Sequence, residues 1–178
     1  MRKEEGRTRE RRRLERRAQA VARVATRLDH VDAAITRWMA GHGVTLLRVA
    51  MGIVFFWFGA LKFFPGVSPA EALAGRTIET LTLGWVHPSV SLPALAVWEC
   101  LIGLGFLSGK FLRVTILLLF LQMPGTLLPL FFFPHETFSE VPLMPTLEGQ
   151  YIIKNLVLMA AGLVVGATVR GGHIEPED

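Results

Sequence analysis

Cysteine is almost missing from this 178-residue chain: Cys100 stands alone, which excludes an internal disulfide. It also removes the dithiol relay that thiol-oxidising four-helix quinone enzymes need. Histidine is missing from the long apolar runs. His30, His42, His87, His135 and His173 all fall outside them, so no imidazole pair can ligate a haem inside a helical core. His87 and His135, with Glu136 nearby, lack short ligand spacing, and no metal site is expected. No phosphate-binding glycine loop, nucleophile elbow or paired catalytic carboxylate occurs. Charge is scarce as well, but only locally. Residues 44 to 170 hold 13 Asp, Glu, Lys and Arg, whereas residues 1 to 43 hold 18 of the chain's 34. So uneven a division excludes a soluble globular domain.

What fills the low-charge part is four apolar runs, each near the length a helix needs to cross about 30 Å of hydrocarbon at about 1.5 Å per residue. They are Val44 to Phe64, Val90 to Ser108, Leu112 to Phe133 and Gln150 to Val169. The expected fold is all-α, an integral membrane four-helix bundle (44–170) behind a basic amphipathic arm (1–43), with a short tail (171–178). No apolar run precedes Val44 and six acidic residues punctuate the first 43, which argues against a cleaved signal or presequence. Twelve Lys or Arg precede the first span and one, Arg76, lies in the loop after it, so the positive-inside rule predicts that both termini are cytoplasmic. The loops 65–89 and 134–149 then face outward. Ser68 is placed to cap a short helix through Glu79, with Trp85 at the membrane interface.

The arm carries Leu14, Val21, Leu28 and Ile35 at heptad spacing, with Val24, Val31 and Trp38 three positions after the last three; Arg17 interrupts the second series. Its other face is rich in arginine. An amphipathic helix on anionic lipid of the inner leaflet is the favoured reading, ahead of a coiled coil with a partner or second copy and of a solvated arm. Nucleic acid is not expected, since Trp38 is its only stacking ring. Gly41, His42 and Gly43 are expected to break the helix before the first span.

Four ionisable residues fall inside the spans: Arg48, Lys62, Glu99 and Lys154. Arg48, Gly52, Phe55, Gly59 and Lys62 recur at steps of 4, 3, 4 and 3, which makes one stripe on one helix face. Its glycines, like Gly103 and the Gly162/Gly166 pair, suit close helix packing. The cations either snorkel to the headgroups or face a polar interior. Glu99 lies about 14 Å from the outer end of its span and Gln122 about 15 Å from the inner end of the next, so both sit near mid-depth. Thr115 and Thr126 share the face of Gln122. Pro124 and Pro129 are expected to disturb the backbone just outside this polar layer. Glu99 is either a structural, paired carboxylate or a proton-transfer or ligand-binding group. Lys154 has two candidate partners, Glu148 and Glu99.

The stripe R-x-x-x-G-x-x-F-x-x-x-G-x-x-K from Arg48 to Lys62 resembles the first helix of DoxX-type four-helix membrane proteins. Glu99-Cys100-Leu101-Ile102-Gly103, followed by Gly109 and Arg113, resembles their second helix and turn. The stretches GKFLRVTILLLFLQMPGTLLPL and PTLEGQYIIKNLVLMAAGLVVGATVRGG are similar to the YkgB/RclC-like branch. The resemblance covers residues 44 to 172 and leaves out the arm. It implies a bacterial inner-membrane protein linked to oxidative or reactive-chlorine stress, with distant relatives in a thiosulfate:quinone oxidoreductase. It brings no agreed catalytic residues.

Three functions compete. The first is a partner-dependent subunit of a redox-stress system, docking a soluble oxidoreductase through the arm and sharing the quinone pool; the lack of a self-sufficient redox centre favours it. The second is a small proton- or cation-coupled transporter or channel subunit using Glu99, which requires a homo-oligomer because four helices leave little lumen. The third is an enzyme acting on quinone directly, which needs an electron donor the chain does not contain.

Overall fold

The computed structural model describes residues 2–64, 66–68, 71–169 and 171–172, with side chains from Leu28 onward. The heptad positions Leu14, Val21 and Val24, the residues 69 and 70 of the outer-loop helix expected from Ser68, and the tail from 173 lie outside what is described. The chain divides into two compact units, residues 1–43 and 44–178.

The first unit is helical and forms the amino-terminal part of α1 (Arg2–Leu61). The break expected at Gly41, His42 and Gly43 does not occur, since helical structure runs through all three. Glycine weakens a helix by about 1 kcal/mol but, unlike proline, keeps its N–H. The turn is also reinforced locally: the His42 ring stacks on Trp38 at 5.2 Å, with Nδ1 3.0 Å from the Trp38 carbonyl oxygen. Leu28, Val31, Ile35 and Trp38 are all exposed.

The second unit holds the rest of α1, then α2 (Glu71–Leu81), α3 (Pro88–Ser108), α4 (Leu112–Leu127), α5 (Pro129–Phe132), α6 (Pro134–Thr137), a hairpin of β1 (Phe138–Glu140) and β2 (Met144–Pro145), α7 (Leu147–Ile153) and α8 (Asn155–Ala167). Four stretches are long and apolar enough to cross a membrane: Leu28–Leu61, Pro88–Ser108, Leu112–Phe132 and Leu147–Ala167. The fold is an all-α membrane bundle whose only described sheet is that two-stranded hairpin.

Local chemistry sets the boundaries. At the start of α3 the His87 ring accepts the Ser89 N–H at 3.3 Å, and Pro88 takes the first turn, where a missing N–H costs nothing. At its end Gly109 adopts φ 67°, the left-handed cap that glycine reaches without strain. The two prolines of the third span act unequally. Pro124 is carried inside α4, while the helix stops at Leu127 and restarts at Pro129. The fourth span is interrupted by one residue, Lys154, between α7 and α8.

α4 packs against α3 and α8, and α2 against α3. The core is Met51 and Phe55 of α1, Ile102 and Phe106 of α3, Leu119 and Met123 of α4, and Ala161 and Val165 of α8. The outward faces are also apolar, with Trp57, Leu101, Leu117, Leu121, Val157 and Leu163 all at least half exposed. Such a surface suits hydrocarbon and not water.

Candidate functional site

The site begins with how closely α1 and α3 approach. A methyl group added to Gly59 would stand 2.8 Å from Glu99 Cβ and 2.9 Å from the Cys100 nitrogen. One added to Gly103 would stand 2.6 Å from Phe56 Cβ, and one added to Gly52 would stand 2.9 Å from the Leu107 nitrogen. Only hydrogen fits there, and the two backbones come together along the stripe. A methyl group added to Gly162 would meet the end of the Leu119 side chain, which can turn away, whereas one added to Gly166 would stand 3.5 Å from Ile116, an ordinary contact.

That approach brings Lys62, just past the end of α1, against Glu99. Lys62 Nζ lies 2.6 Å from Glu99 Oε2, each side chain being 10% exposed. On the other side, Gln122 Nε2 of α4 donates to Glu99 Oε1 at 2.8 Å. The carboxylate accepts from both, so the Gln122 amide must turn its NH₂ toward it. This leaves Gln122 Oε1 buried with no partner among the described residues. The Cys100 thiol donates to the Phe56 carbonyl oxygen, at 3.9 Å.

The triad opens on a cavity of about 720 Å³. Its wall is mostly apolar and comes from α1, α2, α3, α4 and the fourth span, including Phe55, Leu73, Ile78, Met123 and Leu158. It is also lined by Tyr151, Lys154 and Asn155 of the fourth span, spaced so that they share one helix face. Lys154 Nζ sits 4.6 Å from the centre of the Tyr151 ring. Among the described residues no carboxylate reaches it, so neither of its expected partners, Glu148 or Glu99, is paired with it.

Arg48 lies apart from this group. Its guanidinium donates to the Phe106 carbonyl oxygen and, at 3.4 Å, to that of Leu107, and so caps the carboxyl-terminal end of α3 beside Gly109. A cation there satisfies orphan carbonyls and complements the helix dipole. The structure thus brings Lys62, Glu99 and Gln122 together, sets Lys154 on the same cavity, and gives Arg48 a structural partner that sequence reasoning did not identify. Sequence reasoning also missed the contribution of α2, whose buried Leu73 and Thr77 stand one turn apart.

Away from the cavity Arg76 of α2 makes a two-pronged contact with Glu136 of α6, one bond measuring 2.8 Å. Arg76 also lies 5.0 Å from the Phe133 ring centre. The hydrogen bond from Arg76 holds the Glu136 carboxyl below its usual value, and the same bond raises Arg76. This pair ties the segment after the first span to the one before the fourth.

Apolar helices enclosing a buried ion pair define a multi-pass membrane protein of the helical-bundle class. A family model described as DoxX matches residues 43–135, more than half of the chain, and the chain belongs to the DoxX family. No curated protein and no solved structure gives a significant match.

Proposed function

We propose that this DoxX protein is a partner-dependent subunit of a redox or oxidative-stress system, of the YkgB/RclC-like branch, that holds a quinone in the bacterial inner membrane. The observation that carries this reading is the cavity: about 720 Å³, apolar over most of its wall, with polar groups gathered at Lys62, Glu99, Gln122 and Lys154. Pockets of roughly 300–1,000 Å³ with few convergent polar groups are what lipophilic small molecules occupy. The Lys62 ammonium, the lysine and tyrosine of the fourth span and the second N–H of Gln122 are donors suited to ring carbonyls. A quinone would supply the electron-accepting chemistry, and a soluble oxidoreductase docked on the cytoplasmic face would supply electrons. The chain's own role is to bind, orient and exclude water.

The arm binds anionic lipid on the cytoplasmic side, leaving its exposed stripe of Leu28, Val31, Ile35 and Trp38 to the leaflet or to the partner. Both termini are cytoplasmic. Alkaline phosphatase fused after Asp178 should be inactive and a fluorescent protein there bright; the reverse contradicts this orientation. A cation-coupled transporter built on Glu99, alone or as a homo-oligomer, is the second reading. The ion pair counts against it, because Lys62 already neutralises the carboxylate.

The test is purification in native-like lipid, followed by quantitative quinone extraction and identification of co-purifying proteins. Quinone bound well above the bilayer background, together with a soluble oxidoreductase, supports the proposal. Their joint absence, with proton-coupled flux into proteoliposomes holding this protein alone, overturns it in favour of transport.

A further inference from the structure

The cavity is not electrically neutral. Lys62 and Glu99 cancel each other at 2.6 Å, and the only other ionisable acid or base with a described side chain on the wall, apart from the Tyr151 phenol, is Lys154. Among the described residues no carboxylate lies within ion-pair distance of it, and its nearest aromatic partner, the Tyr151 ring, offers a face and no full charge. An ammonium within a membrane span is costly unless something offsets it. A cavity that is apolar in its body and carries one positive charge in excess is complementary to a molecule that is apolar in its body and negative at its head.

From this we infer that the same cavity also takes, in competition with the neutral quinone, an amphiphilic anion, a single alkyl chain ending in a carboxylate, with Lys154 as the anchor of the head. Tyr151 and Asn155, on the same face of the fourth span, supply neutral donors beside that ammonium. The chain of the ligand lies along Leu73, Ile78 and Met123. A volume of about 720 Å³ is within the range that small lipophilic molecules occupy, and one alkyl chain with its head is such a molecule. The inference rests on reading the cavity as a ligand site, as in the proposed function, and adds a charge preference that quinone binding does not require.

The experiment uses the full chain in nanodiscs of zwitterionic lipid at pH about 9, where the carboxyl is ionised. Binding of radiolabelled oleate and of oleyl alcohol is compared, with phosphatidylglycerol as competitor. The wild type should prefer oleate. Lys154→Met should weaken oleate by about tenfold or more and leave the alcohol unchanged, while Lys154→Arg keeps the preference. Gly125 lines the cavity and a methyl group there meets nothing within 4 Å, so Gly125→Leu fills space and should weaken both ligands. Equal affinity for oleate and alcohol in the wild type, or an unchanged oleate affinity in Lys154→Met, overturns the charge inference while the ligand site stands. Competition by phosphatidylglycerol as strong as by oleate overturns the single-chain assignment. Binding of neither probe, or binding untouched by Gly125→Leu, overturns the fatty-acid inference, while the quinone reading stands or falls on quinone extraction.

Discussion

Replacing Glu99 by glutamine keeps the shape of the side chain and removes its charge. The introduced amide can still accept the Gln122 N–H through its oxygen, so the bond of 2.8 Å survives and the loss falls on Lys62. That ammonium stands 2.6 Å from the carboxylate with 10% exposure, and without it has the Phe58 carbonyl oxygen at 3.4 Å. Removing one member of a buried pair costs about 3–5 kcal/mol. Because the lysine borders a cavity where water can enter, part of this is relieved, and a loss of about 2–4 kcal/mol is expected. Reversible unfolding in mixed micelles, at fixed detergent composition, measures it. The double variant Lys62→Met/Glu99→Gln should recover most of the loss, giving a coupling of about 1–3 kcal/mol. A single variant within about 0.5 kcal/mol of wild type, or a double-mutant cycle that is purely additive, refutes a buried, charged pair.

The glycines separate by the same unfolding measurement: Gly103→Ala drives a methyl group against the Phe56 backbone and should cost about 1–3 kcal/mol, whereas Gly166→Ala meets only Ile116 at 3.5 Å and should be neutral or mildly stabilising. Glu136 is held below its ordinary value by the Arg76 hydrogen bond, so the stability it confers is complete above the unfolded glutamate pKa and fades as pH falls through the lowered folded value. Protease protection of the segments around Arg76 and Glu136 should follow that acid limb, and Glu136→Gln should remove it. Deleting Met1 to Asp32 should spare membrane insertion and abolish the proposed preference of the protein for anionic lipid in vesicle association; a truncated chain that fails to accumulate contradicts the arm's independence.

The spans were legible because hydropathy reports a chain's solvent directly, and the bilayer admits only helices as continuous elements here. Counting rise per residue set Glu99 and Gln122 at one height, and their side chains meet. What rise cannot give is rotation and tilt, so sequence could not choose whether Glu99 or Glu148 would face Lys154. Neither does, and Lys62 takes Glu99. Snorkelling and capping ask the same residue type of the same helix end. The partner of Arg48 was therefore hidden until α3 was seen to end beside it. The hairpin was illegible for another reason: β1 has three residues and β2 two, too short for a periodicity to show. At Gly41 to Gly43 glycine content suggested a break, but local stacking and intact N–H groups kept the helix.

The claim at the centre of this account is that the cavity beside Lys62, Glu99 and Gln122 is a quinone site. Photo-crosslinking of an azido-quinone in native-like lipid, with the adducts mapped by mass spectrometry, tests it directly. Labelling should be confined to cavity-wall segments, around Leu73–Leu81, Gln122–Pro129 and Tyr151–Leu158, competed by unlabelled quinone and lost in Gly125→Leu. Labelling spread over the lipid-facing residues Trp57, Leu117 and Leu163, undiminished by competitor or by Gly125→Leu, would contradict it.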